Sequence, residues 1–141
     1  MRAWPGNPWV NPFRLVVWLG ILANFTFSIP AVFAPKWLLG TLNIDDPRPW
    51  IWLQDAGGLL FLLTLMFIPA ATDPFRYKFN AAVLVIGRLA FGVFWFWQVL
   101  FADYPTSYLR LAFVDSGLGI VLLVLYIPLL RYEYLRPERP E

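Results

Sequence analysis

Gly87-Arg88-Leu89-Ala90-Phe91-Gly92-Val93-Phe94-Trp95-Phe96-Trp97-Gln98 sets one arginine among five aromatic side chains, inside a segment that is otherwise apolar enough to cross a membrane. Arg88 is the one basic residue well inside any of the long apolar runs. A charge at such depth is costly and is normally met by a partner or a wet cavity, so it is the first functional clue. Only Phe91 and Trp95 share its helix face. The other aromatics point around the whole circumference, toward packing partners or lipid.

Composition agrees with a membrane chain. Of the 141 residues 60% are hydrophobic, 19% aromatic and only 14% charged, too little charge for the surface of a soluble domain of this length. A net charge of +2 gives no footprint for nucleic acid. There is no histidine and no cysteine. Without them the ordinary ligands for haem, iron–sulfur clusters, copper and catalytic zinc are missing, as are Ser-His-Asp and Cys-His catalysis. The expectation is therefore a chain with no metal site, no resident cofactor and no catalytic residues of its own.

Working outward, four apolar runs are long enough to span, at about 13–34, 50–71, 80–101 and 109–130. They predict an all-α membrane protein, a four-transmembrane-helix bundle forming a single domain over 1–141. Before the first run, the proline-rich stretch 1–12 reads as an irregular interfacial segment with Trp4 and Trp9 at headgroup level. Val32-Phe33-Ala34 loosely resembles a signal cleavage site, but Pro35 follows it directly, so 13–34 is expected to remain a span. Pro35 opens a stretch suited to a short amphipathic interfacial helix, and Asp45-Asp46 before Pro47 reads as a solvated turn. Asp73-Pro74 reads as an N-cap followed by proline at the first helical position, starting the third helix in the interface. The tail 131–141 is expected to be polar. Basic residues fall mainly on one side, with Arg2, Arg14, Arg76, Lys78, Arg131, Arg136 and Arg139 against Lys36, Arg48 and Arg110. That excess predicts a multi-pass protein with both termini cytoplasmic.

This topology gives the buried polar residues a shared address in the outer half. Asn24 lies on a stripe with Gly20 and Ser28, four residues apart, which reads as a helix-packing face. Gln54 and Asp55 enter at the start of the second span, Gln98 lies near the end of the third, and Asp115 is early in the fourth. Asp115, Gly119, Leu122 and Tyr126 line one face. Arg88 sits lower, ten or more ångström below the two aspartates by helical rise, roughly. Charge balance favours a network of Asn24, Gln54, Asp55, Arg88, Trp95, Gln98 and Asp115, serving either helix register or a ligand pocket. No GxxxG motif is present, so Gly57-Gly58 and Gly117/Gly119 read as close approaches within the bundle.

Phe27-Ser28-Ile29-Pro30-Ala31-Val32-Phe33-Ala34-Pro35-Lys36-Trp37-Leu38-Leu39, the Gly57-Gly58 pair, Gly87-Arg88-Leu89 and the acid early in the fourth span together resemble small four-helix DoxX-like bacterial membrane proteins, in particular an uncharacterised branch. The resemblance implies the four-helix fold and a place in a redox-linked membrane system, since some members resemble subunits of thiosulfate:quinone oxidoreductases. It assigns no catalytic residue, and a chain without cysteine has no thiol chemistry to offer.

Two functions follow as expectations. One is a small accessory subunit of a larger membrane complex, of electron-transport or photosynthetic type, with lipids and other membrane subunits as partners. The other is the handling of a quinone, carotenoid or other flat lipid in the outer half of the bundle. A transporter is disfavoured, because the acids lie on one side and no pair of broken helices is evident.

Overall fold

The computed structural model describes residues 6–44 and 49–135. Helices α1 (Val10–Phe33), α3 (Ile51–Thr72), α4 (Lys78–Phe101) and α5 (Leu109–Tyr134) are joined by the short helix α2 (Pro35–Leu42) and by a 3-10 turn at Thr106–Tyr108. At 1.5 Å per residue the long helices measure about 33–39 Å, enough to cross a hydrocarbon layer of about 30 Å. Their most apolar windows have mean hydropathy of 1.8 to 2.2. The chain is thus an all-α bundle with four helices fit to span a membrane. Trp4, the Asp45-Asp46 turn and the tail beyond 135 lie outside the described residues.

Helix α1 packs along α3, and α4 along α5; the two pairs meet through α1–α5 and α3–α4. The side holding the N-terminus and the α3–α4 connection is called here the terminus side, and the opposite one the α2 side. The apolar core is concentrated toward the terminus side. Phe13, Val17 and Ile21 of α1 meet Phe67 and Ala70 of α3, Leu84 and Val85 of α4, and Leu122 and Leu129 of α5. Outside it the helices are as apolar as inside, with Leu15, Leu22, Leu62, Ile86 and Val124 all 60% exposed or more. That inversion is what a lipid solvent permits and water does not.

The helix ends follow local chemistry. Both α1 and α3 stop one turn after a proline, where the Pro30 carbonyl accepts the Ala34 N–H at 2.8 Å and the Pro69 carbonyl accepts the Asp73 N–H at 2.9 Å. Each proline lacks its own N–H and loosens the turn before it. Helix α2 ends with Asn43 in the left-handed conformation (φ 54°), while the Leu39 carbonyl accepts the Ile44 N–H at 3.0 Å. Asparagine tolerates that conformation as glycine does.

Two boundaries differ from expectation. Helix α1 begins at Val10 rather than near Phe13, because Pro12 falls in its first turn, where no intrahelical N–H bond is needed. The short helix α2 forms over the stretch that Pro35 opens, as expected. The Asp73 carboxylate does accept the N–H groups of Phe75 and Arg76, at 3.1 and 3.0 Å. Those residues make a single capped turn, and Tyr77 (φ −111°, ψ 48°) leaves helical geometry before α4 starts at Lys78. Asn7, in the proline-rich prelude, is buried: its Oδ1 accepts the Trp9 N–H and its Nδ2 donates to the Leu129 carbonyl of α5.

Candidate functional site

Close helix approach creates the site. A Cβ placed on Gly92 would lie 2.1 Å from Ser116 Oγ, and one on Gly119 would lie 3.0 Å from the Leu89 backbone nitrogen. The α4–α5 seam is therefore nearly backbone to backbone, which only glycine allows. Across the bundle, Gly57 does the same against Ser28 and Ala31, clamping α3 to α1.

With Gly92 opposite Ser116 and Gly119 opposite Leu89, Asp115 stands level with Val93. That is five residues along from Arg88, about 7 Å by helical rise. The long arginine side chain covers the offset. Its Nη1 donates to Asp115 Oδ1 in an ion pair, and its Nη2 donates to Asn24 Oδ1 and, at 2.8 Å, to the Gly20 carbonyl. The guanidinium lies directly against Gly20, where a Cβ would touch Nη2 at 3.4 Å, an ordinary van der Waals contact. The chain of contacts continues: Asn24 Nδ2 donates to Thr64 Oγ1 at 2.9 Å, and Thr64 Oγ1 donates to the Leu60 carbonyl at 2.6 Å. One arginine thus joins α4 to α5 and α1, and through Asn24 to α3. Arg88 and Asn24 are buried and Thr64 fully so, while the Asp115 side chain keeps 18% of its surface exposed. Arg88 Nε and Ser28 Oγ are buried with no partner among the described residues.

Of the residues expected at the site, Arg88, Asp115 and Asn24 come together. Asp55 does not. It is exposed, and it lies about 200° around the helix from Gly57, the residue that meets α1. The face it shares with Gly58 and Leu62 looks outward. Asp55→Asn should therefore change unfolding free energy by less than about 0.5 kcal/mol in detergent, as a surface substitution does. A larger loss in an equilibrium unfolding titration would place Asp55 in a contact that this geometry lacks.

Gln54 serves another purpose: its Nε2 donates to the Val32 carbonyl at 3.0 Å, satisfying an acceptor in the last turn of α1. Trp95 stacks on Tyr108 with ring centroids 5.4 Å apart, closing the α4–α5 end on the α2 side. Gln98 contributes its backbone, its carbonyl accepting the N–H groups of Ala102 and Tyr104 at 3.2 Å each. Phe91, expected beside Arg88, is 49% exposed.

Thr64 was not legible as a member, since a threonine inside a span carries no signal of its own. Arg14 is a second such case: its Nε donates to the Ala71 carbonyl at 2.8 Å, where a cation complements the C-terminal end of α3.

Chemically, Arg88 has an acid, an amide and a carbonyl from its own chain as acceptors. This is the arrangement of a register-setting core. No group of three or more histidine, cysteine, aspartate or glutamate side chains able to hold a metal occurs among the described residues. Comparison of the chain with protein-family models, curated protein sequences and solved structures gives no match.

Proposed function

We propose that this protein is a small accessory subunit of a larger complex in the bacterial inner membrane, with both termini cytoplasmic. The outward face of α4 carries the reading. Phe79, Ile86, Val93, Trp97, Leu100 and Phe101 are 59–75% exposed on it, and the Trp97 and Phe101 rings hold each other at 4.5 Å. The paired Trp97 and Phe101 rings have little rotamer freedom left to lose on packing against a neighbouring helix. The polar groups at the bundle centre meanwhile serve its own helices. The DoxX-like resemblance adds a redox-linked setting for the complex, and the positive-side excess of basic residues supports the orientation.

The test is extraction of the tagged chain from its native membrane in mild detergent, followed by native electrophoresis. The expected result is a species far larger than the 16.3 kDa chain in its micelle, lost in the double variant Trp97→Ala/Phe101→Ala. A wild-type chain found only as monomer sinks the reading.

A second reading is favoured by one observation: the partly exposed Asp115 side chain lies in the half of the bundle where Trp95 and Tyr108 stack. A flat lipid such as a quinone or carotenoid would seat there. Its mark is a co-purifying quinone or carotenoid that is lost in Arg88→Leu, and its absence from the wild type counts against it.

A further inference from the structure

On the α2 side a groove of about 750 Å³ opens between the end of α1, α2 and the start of α3, lined by Phe33, Lys36, Trp37, Gly40, Thr41 and Trp50 among others. Its construction follows from how α2 sits. Pro35, Leu38 and Leu39 are buried against the bundle, so Lys36, Trp37, Gly40 and Thr41 are left on the open face. The groove has a wide floor at Gly40, where an added Cβ would meet nothing within 4 Å. Thr41 Oγ1 is turned back to the Trp37 carbonyl at 2.9 Å, and among the described lining residues the cation is Lys36. Phe33 at its rim is 83% exposed and Trp37 61%.

We propose that this groove is a binding site for one anionic phospholipid, with the headgroup phosphate on the Lys36 ammonium and the first acyl methylenes against Phe33, Trp37 and Trp50. The argument is one of position and charge together. The groove lies where α1 ends, the level at which a bilayer spanned by that helix would put its headgroups, and indole rings are favoured at such a level because one edge is apolar and the other wet. A lysine at that level keeps its ammonium among phosphates while its stem covers apolar surface. A zwitterionic lipid matches the same apolar walls but brings its own cation toward Lys36, so the site discriminates by headgroup charge.

Delipidated full-length protein in mild detergent, titrated with phosphatidylglycerol or phosphatidylcholine of identical acyl chains and read by native mass spectrometry, tests this. Wild type should prefer phosphatidylglycerol by about fivefold, the contribution of one lysine near an anionic surface. Lys36→Gln should abolish that preference while leaving weak binding of both lipids. Gly40→Phe should lower binding of both without lowering thermal stability, since the ring fills open space. Lys78→Gln, an exposed lysine on the terminus side, should leave the preference intact. Equal binding of the two lipids by wild type overturns the proposal. So does loss of the preference in Lys78→Gln as large as in Lys36→Gln, because the effect would then belong to overall charge and not to the groove.

Discussion

Asp115→Leu is expected to be among the most destabilising single substitutions in this chain, at about 3–5 kcal/mol, the cost of stranding a buried charge. The reason is an asymmetry between the two partners. Arginine does not release its proton in proteins, so without Asp115 the guanidinium stays charged inside the bundle. A carboxylate left without arginine has an escape, since it can take up a proton and become neutral. Arg88→Leu should accordingly cost less, about 1–3 kcal/mol, mostly from unpaired acceptors on Asn24 and Gly20. The double variant Arg88→Met/Asp115→Leu should recover much of what Asp115→Leu loses, because apolar replacement of a buried ion pair is often near neutral. Equilibrium unfolding in mixed micelles measures all three. If Asp115→Leu proves no worse than Asp55→Asn, the ion pair contributes nothing to the fold.

Gly92→Leu is the second large effect. The new Cβ would meet not only Ser116 Oγ at 2.1 Å but the Ser116 backbone nitrogen at 2.9 Å and Cα at 3.0 Å. A hydroxyl can rotate away; a backbone cannot. Helices α4 and α5 must then separate one turn from where Arg88 reaches Asp115, so overpacking and loss of the ion pair act together. A cost near the upper end of the overpacking range, about 3 kcal/mol, is expected. Gly117→Ala, on α5 next to Ser116 but with nothing within 4 Å of the added Cβ, should be neutral or slightly stabilising through helix propensity. Thermal denaturation of the two variants side by side decides it. Equal melting temperatures would mean that α4 and α5 are not in backbone contact.

The spans were legible because length and apolarity are summed over some twenty residues, and small boundary errors do not disturb the sum. The Gly20/Asn24/Ser28 stripe and the Asp115/Gly119/Leu122 face were legible for a different reason: polar or small residues recurring at helical spacing have few uses in a membrane except packing inward. Asp55 shows where that logic stops. Helix α3 is apolar on its lipid side and its core side alike, so periodicity could not say which way a polar residue near its end would face. The glycines show the same limit. Both members of Gly57-Gly58 and of Gly117/Gly119 were read as close approaches, yet only Gly57 and Gly119 meet a neighbour. Adjacent residues on a helix point about 100° apart and residues two apart about 200°, so one seam takes one member of each pair. The direct Arg88–Asp115 pair depended on the α4–α5 register, which is set at Gly92 by contacts that no single helix reveals.

The four-helix reach of Arg88 also bears on how the chain is made. Synthesis delivers α4 to the bilayer before α5, so for that interval the cation is there without its counter-ion. An arginine at the centre of an inserting helix carries a penalty of about 2.5–3.5 kcal/mol. Helix α1 is already in place by then, and its Asn24 side chain and Gly20 carbonyl are the two acceptors that hold Nη2 in the finished bundle. The amide and the carbonyl are thus acceptors that the first helix can offer the guanidinium before the carboxylate of the last helix is present.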